Sequence, residues 1–310
     1  MIASLKRLVL RRQTDQAAKA ALAWLHAHTD SFRIAETRDE QGTPWTIKPL
    51  GELLFMLIIL KRHGVRRREI EGMSAFALRE ADTFDWHELA AYDPSAATPM
   101  AFIAEFFALH DRPAPFETTY FDFLRRIDFF EGMDRFPYRE MDLAYSFSRI
   151  GVPNEQPRIN LWFASTAFGR GQNLARYTID DLYSLTHAVM YLTDVGLVPP
   201  HGHLDPSVLE RLHRELVTLT AMMLRADNTD VLGELLLCWI LAGIAPTPFE
   251  RSIFAAGLRR MFGSTATDGA VAPTSRIKLR ADAGEATFAE LYHTTLVSAI
   301  LFSLAARRAL

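Results

Sequence analysis

Apolar residues recur at helical spacing along nearly the whole chain, and no set of alternating strands interrupts them. Leu53 to Leu60 (LLFMLIIL) is apolar on every side and is closed by Lys61, Arg62 and His63, so it reads as an inner helix. Arg66 to Ala81 is more polar and reads as an outer one. An internal echo supports a repeat. Leu-Gly-Glu-Leu-Leu opens the apolar run at Leu50 and again at Leu232. Helix pairs with an apolar inner and an amphipathic outer member stack as an open array or close into a ring. The expected fold is therefore all-α, an α/α toroid or a helical-repeat array. Residues 1–310 read as one domain, with Gly151 to Pro157 as the best internal boundary. Ile159 to Phe168 fits no single period. Gly263 to Asp282, rich in Ser, Thr, Ala and Gly, reads as a surface loop or flap that is long for a compact domain.

The most informative helix is Tyr177 to Pro200. Thr178 can cap its start, Asp180 and Asp181 favour the positive end of its dipole, and Gly196 with Pro199-Pro200 stops it. Asp180, Tyr183, His187, Tyr191 and Asp194 follow at steps of three or four. At about 100° per residue they share an arc of roughly 80°. A solvent face would carry Lys, Glu, Arg and Gln, whereas this one carries groups that donate, accept and titrate. It reads as the lining of a polar cavity. His187 is the candidate acid or base, with Asp194 as its orienting partner and Tyr183 and Tyr191 as substrate contacts. The alternative is a histidine that satisfies a hydrogen bond between helices. Asp194, in the last turn, needs a compensating cation, cap or metal.

Other candidates lie elsewhere. Glu52 and Glu234 open apolar helices, either as first-turn acids or as groups projecting into the cavity. Tyr292 and His293 sit at the mouth of the apolar C-terminal helix with Thr294. His187 and His293 with one carboxylate would match the ligand count of a divalent metal site. Glu290 and His293 form a Glu-x-x-His pair, which di-iron bundles need twice. His201-Gly-His203 could chelate a metal but reads as an exposed loop leading to Asp205-Pro206-Ser207. The arginines at 125, 126, 135 and 139 could bind an anion or pair with Asp128 and Glu131.

The segment LYSLTHAVMYLTDVG, Leu182 to Gly196, resembles part of a poorly characterised family of all-helical bacterial proteins. Tyr292-His-Thr-Thr-Leu296 is similar to a second part of it. The resemblance implies a helical fold and a setting in specialised-metabolite pathways. It also draws His187, Asp194 and His293 into one suspected site.

Composition narrows the remaining classes. A net charge of -3 argues against a nucleic-acid binder. The single cysteine, Cys238, excludes a disulfide framework and Cys-rich zinc sites. No phosphate-binding glycine motif and no nucleophile-elbow or kinase motif occurs. The apolar run near the N-terminus is broken by Lys6 and Arg7, and no apolar run approaches the ~20 residues of a membrane span. The expected protein is cytoplasmic and processes a small organic substrate. Its cofactor is open, a divalent metal being admitted and a homodimer allowed by the outer apolar surfaces. The competing reading is a non-catalytic helical-repeat protein that binds a peptide or protein.

Overall fold

The structure is a computed structural model describing residues 2–34, 47–86, 89, 96–129, 135–200 and 204–307. It is all-helical, with 13 α-helices, 70% of residues helical and no sheet among the described residues. The helices are α1 Ile2–Ala27, α2 Ile47–Arg62, α3 Glu71–Asp82, α4 Ala97–Ala108, α5 Thr119–Arg126 and α6 Pro137–Arg149. They continue with α7 Glu155–Ser165, α8 Ile179–Leu192, α9 Pro206–Met223, α10 Thr229–Leu241 and α11 Pro248–Gly263, then α12 Ser275–Asp282 and α13 Phe288–Ala305. The ambiguous stretch Ile159 to Phe168 is thus helical as far as Ser165. The His201–His203 loop lies outside the described residues.

The chain divides into two compact units, both discontinuous in sequence. Residues 1–29, 59–71 and 192–310 form the first; residues 30–58 and 72–191 form the second. Gly151 to Pro157 lies inside the second unit, and its last three residues already belong to α7.

In the first unit α10 is the innermost helix, buried at every position from Thr229 to Leu241. A helix apolar on all sides must be covered on all sides, and α9, α11 and α13 cover it. Asn228 caps its start by accepting from the Val231 N–H (3.0 Å). One residue sets how closely its neighbours approach: a Cβ on Gly233 would stand 2.9 Å from Met261 Cε and 3.2 Å from Val297 Cγ1. The glycine of the echoed Leu-Gly-Glu motif therefore admits α11 and α13 to close packing. α13 is long and apolar enough to cross a membrane, but 78% of that window is buried, with α1 and α10 packed along it.

Gly263 to Asp282 is not a loose surface flap. Its last eight residues form α12, and Thr265 bridges Val271. Ala266, Ala270, Val271 and Ala272 are buried. Distant partners hold the segment: the Val271 N–H donates to Thr295 Oγ1 (2.9 Å), and Trp24 Nε1 donates to the Asp268 carboxylate (2.9 Å). Gly269, at φ 101°, lies against α1, where an added Cβ would come within 2.6 Å of the Ala20 carbonyl.

In the second unit α4 packs on α6 and α6 on α7. The side chains of α4 from Met100 to Phe107 are all buried. The charged groups of this core are paired: Arg125 bonds Glu155 through two nitrogens (2.7 and 2.8 Å) and Arg149 bonds Glu105 (3.0 Å). Arg125 thus finds its carboxylate on α7, whereas Arg126 pairs within its own helix with Asp122 (3.3 Å).

Candidate functional site

Two clusters of titratable groups stand out, one in each unit. In the second unit α8 begins as its sequence suggests, since Thr178 Oγ1 accepts from the Asp181 N–H and the Thr178 N–H donates to Asp181 (2.8 Å). His187 Nδ1 lies 2.8 Å from the Tyr183 carbonyl one turn back. A carbonyl only accepts, so Nδ1 is the donor in this contact. The ring is flanked by Tyr183 (6.4 Å between centroids), Tyr191 (6.1 Å) and, from α6, Tyr138 (5.4 Å). Tyr191 also stacks on Tyr145 of α6 (5.1 Å).

The carboxylate of this cluster is Asp142, on α6. It is buried and its Oδ1 has no hydrogen-bond partner among the described residues; neither does the hydroxyl of Ser146, one turn on. Burial raises the Asp142 pKa, against the opposing effects of Arg139, His187 and the Tyr191 hydrogen bond. Burial, reinforced by the neighbouring Asp142 charge, pushes the Tyr191 phenol well above its usual range. Tyr191 therefore stays protonated and donates to Asp142. Arg139 stands 3.7 Å from Asp142 with its side chain half exposed, and Arg135 stands 3.7 Å from Glu140.

Asp194 is held by partners of its own. α8 stops at Leu192, and Asp194 (φ 46°), Val195 (φ 51°) and Gly196 (φ 87°) are all left-handed, so the helical wheel does not extend to Asp194. Asp194 belongs to the first unit. There it is clasped by the Arg62 guanidinium through both carboxylate oxygens, while the ring Nε2 of His63 bonds the Val195 carbonyl (2.8 Å). The compensating cation that its position demands is Arg62. Glu52 is half-buried in the second unit, 3.9 Å from Lys48.

The second cluster joins α10 to α13. Asp230 and Glu234 are one turn apart on α10, both buried, and His293 Nε2 of α13 lies 3.5 Å from an oxygen of each. The three donor atoms lie within 4.8 Å of one another. Thr294 Oγ1 donates to the other oxygen of Asp230 (2.7 Å). Glu290 is not part of this group: it accepts from the Thr287 N–H (2.8 Å) at the start of α13 and bonds Arg280. Tyr292 is buried and stacked on Phe288 (5.1 Å).

The structure thus places His187, Tyr183, Tyr191 and Glu52 in the second unit and Asp194, Glu234, Tyr292 and His293 in the first. It gathers the α8 residues around Asp142, and Glu234 with His293 around Asp230. Neither aspartate stands out from its own segment. Asp230 could have been found from its i, i+4 relation to Glu234 on an otherwise apolar helix. Asp142 could have been found as the one carboxylate within MDLAYSF.

A family model described as Domain of unknown function (DUF6895) matches residues 18–302, and the chain belongs to that family. No curated protein and no solved structure matches it.

Proposed function

We propose that this member of the DUF6895 family is an enzyme that processes a small organic molecule by general acid–base chemistry. In this reading it acts in the cytoplasm of a bacterium, within specialised metabolism, and its helices stack as an array of inner and outer pairs. The observation that carries the proposal is Asp142: a buried carboxyl with one unpartnered oxygen, beside His187 and Tyr191.

Burial makes Asp142 hold its proton to higher pH than an ordinary aspartate, so it is the proton donor. In this reading His187, held by its Nδ1–H bond to the Tyr183 carbonyl, is the proton acceptor. An acid and a base side by side can give and take a proton within one site. Tyr191 fixes the Asp142 carboxyl by its hydrogen bond. Arg139 and Arg135 supply positive charge for a substrate that carries an anionic substituent.

The competing reading, a non-catalytic repeat protein that binds a peptide or protein, draws on exposed apolar side chains of the same unit: Phe123, Ile127, Phe136 and Leu161. One experiment separates the two. The purified protein is incubated with a bacterial metabolite extract and followed by mass spectrometry, beside Asp142→Asn and His187→Gln. Acid–base catalysis contributes about 10²–10⁴-fold, so at least one metabolite consumed by the wild type should persist with both variants while both remain folded by circular dichroism. Identical profiles for all three proteins defeat the enzyme reading.

A further inference from the structure

We propose that Asp230, Glu234 and His293 bind a single first-row divalent cation, with zinc and manganese the best matches to their nitrogen and oxygen donors. This site lies in the first unit and is independent of the acid–base reading.

The spacing is the first argument. Metal–ligand bonds of about 2.0–2.2 Å at tetrahedral angles hold neighbouring donor atoms about 3.4 Å apart. His293 Nε2 stands 3.5 Å from Asp230 Oδ2 and 3.5 Å from Glu234 Oε1. Good N–H···O hydrogen bonds are shorter, about 2.7–3.2 Å, and a single ring N–H points at only one acceptor. Nε2 at equal distance from two carboxylates, with all three donor atoms within 4.8 Å of one another, is compatible with three ligands around a common centre.

Charge is the second. Two carboxylates one helical turn apart repel each other, and burial increases the cost because water no longer screens them. A dication cancels both charges.

The surroundings supply the third. Thr294 Oγ1 holds Asp230 Oδ1, which leaves Oδ2 on the side of His293. Hydrogen bonds of this kind orient the carboxylates of metal sites. The frame is stiff, because α10 is buried all round and Gly233 lets α13 approach through Val297, one turn beyond His293. His293 is 37% exposed, which gives a route from solvent. Three protein ligands leave a fourth position for water or a substrate atom, the arrangement of reactive sites and not of closed structural ones.

The test is titration of chelator-stripped full-length protein with Zn²⁺ and, separately, Co²⁺, followed by calorimetry and by the visible cobalt bands. One equivalent should bind, and the cobalt spectrum should be that of a four- or five-coordinate nitrogen–oxygen site. His293→Gln and Glu234→Gln should each weaken binding at least 100-fold. Cys238→Ser and the His201→Ala/His203→Ala double variant should bind as the wild type does. If a ligand variant fails to fold, the wild-type protein still decides, since zinc must raise its melting temperature in proportion to the logarithm of zinc concentration. Absence of binding, a sulfur–cobalt charge-transfer band, or binding that survives both ligand substitutions would overturn the proposal.

Discussion

Replacing Asp194 by Asn tests whether this residue is a structural clasp or a catalytic partner. Asn keeps the shape and tolerates the left-handed backbone at φ 46°, so the change removes little except charge. What it leaves behind is the Arg62 guanidinium, whose side chain is 9% exposed, against 21% for Asp194. Breaking a buried pair from one side costs about 3–5 kcal/mol. The residual exposure of Asp194 lets water replace part of the interaction, which brings the expected loss to about 2–4 kcal/mol. At about 2–4 °C per kcal/mol for a domain of this size, the melting temperature should fall by about 4–16 °C. Thermal melts and urea midpoints read this directly. A double-mutant cycle isolates the pair: in an Arg62→Met background, Asp194→Asn should cost less than about 1 kcal/mol, because no buried cation remains to be stranded. Turnover per folded molecule should be unchanged. The reasoning is refuted if Asp194→Asn melts within about 1 °C of the wild type, or if the two substitutions are additive.

Asp142→Asn should stabilise the protein in a pH-dependent way. The folded-state pKa of Asp142 is raised, so its proton favours folding below the unfolded value of 3.8, and that contribution is lost as pH rises through the folded pKa. The melting temperature of the variant relative to wild type should therefore be greater at pH 7 than at pH 4; a gain confined to low pH would show the sign to be wrong. Gly269→Ala should cost about 2–5 kcal/mol by urea denaturation, combining a strained backbone with a steric clash. The clash is with the Ala20 carbonyl, which no side-chain rotation can relieve. An unchanged urea midpoint would contradict it.

The helices were legible because burial of an apolar stripe writes a 3.6-residue period into the chain, and α2, α10 and α13 carry it on every side. What was not legible depends on partners far away in sequence. Gly263 to Asp282 has no period of its own because Thr295, Trp24 and Ala20 shape it from other elements. Asp194 shares the helical phase of His187 on paper, yet the backbone turns left-handed there and Arg62, 132 positions away, takes the carboxylate. The polar face of α8 was visible as a pattern of Tyr183, His187 and Tyr191. Its carboxylate was not, because Asp142 lies on another helix and one buried aspartate leaves no periodic trace. The same holds for the second cluster, where His293 and Glu234 stand out in their own segments but meet only because Gly233 lets their helices close.

The account rests on Asp142 entering the site as a proton donor. The direct measurement is the titration of its side-chain carboxyl carbon by NMR, assigned by comparison with Asp142→Asn and repeated in His187→Gln. The midpoint should lie above the range of ordinary aspartates and should rise further in His187→Gln, because His187 lowers it in the wild-type protein. A midpoint at or below the ordinary aspartate value would show Asp142 ionised wherever the protein works, and the acid–base account would fall.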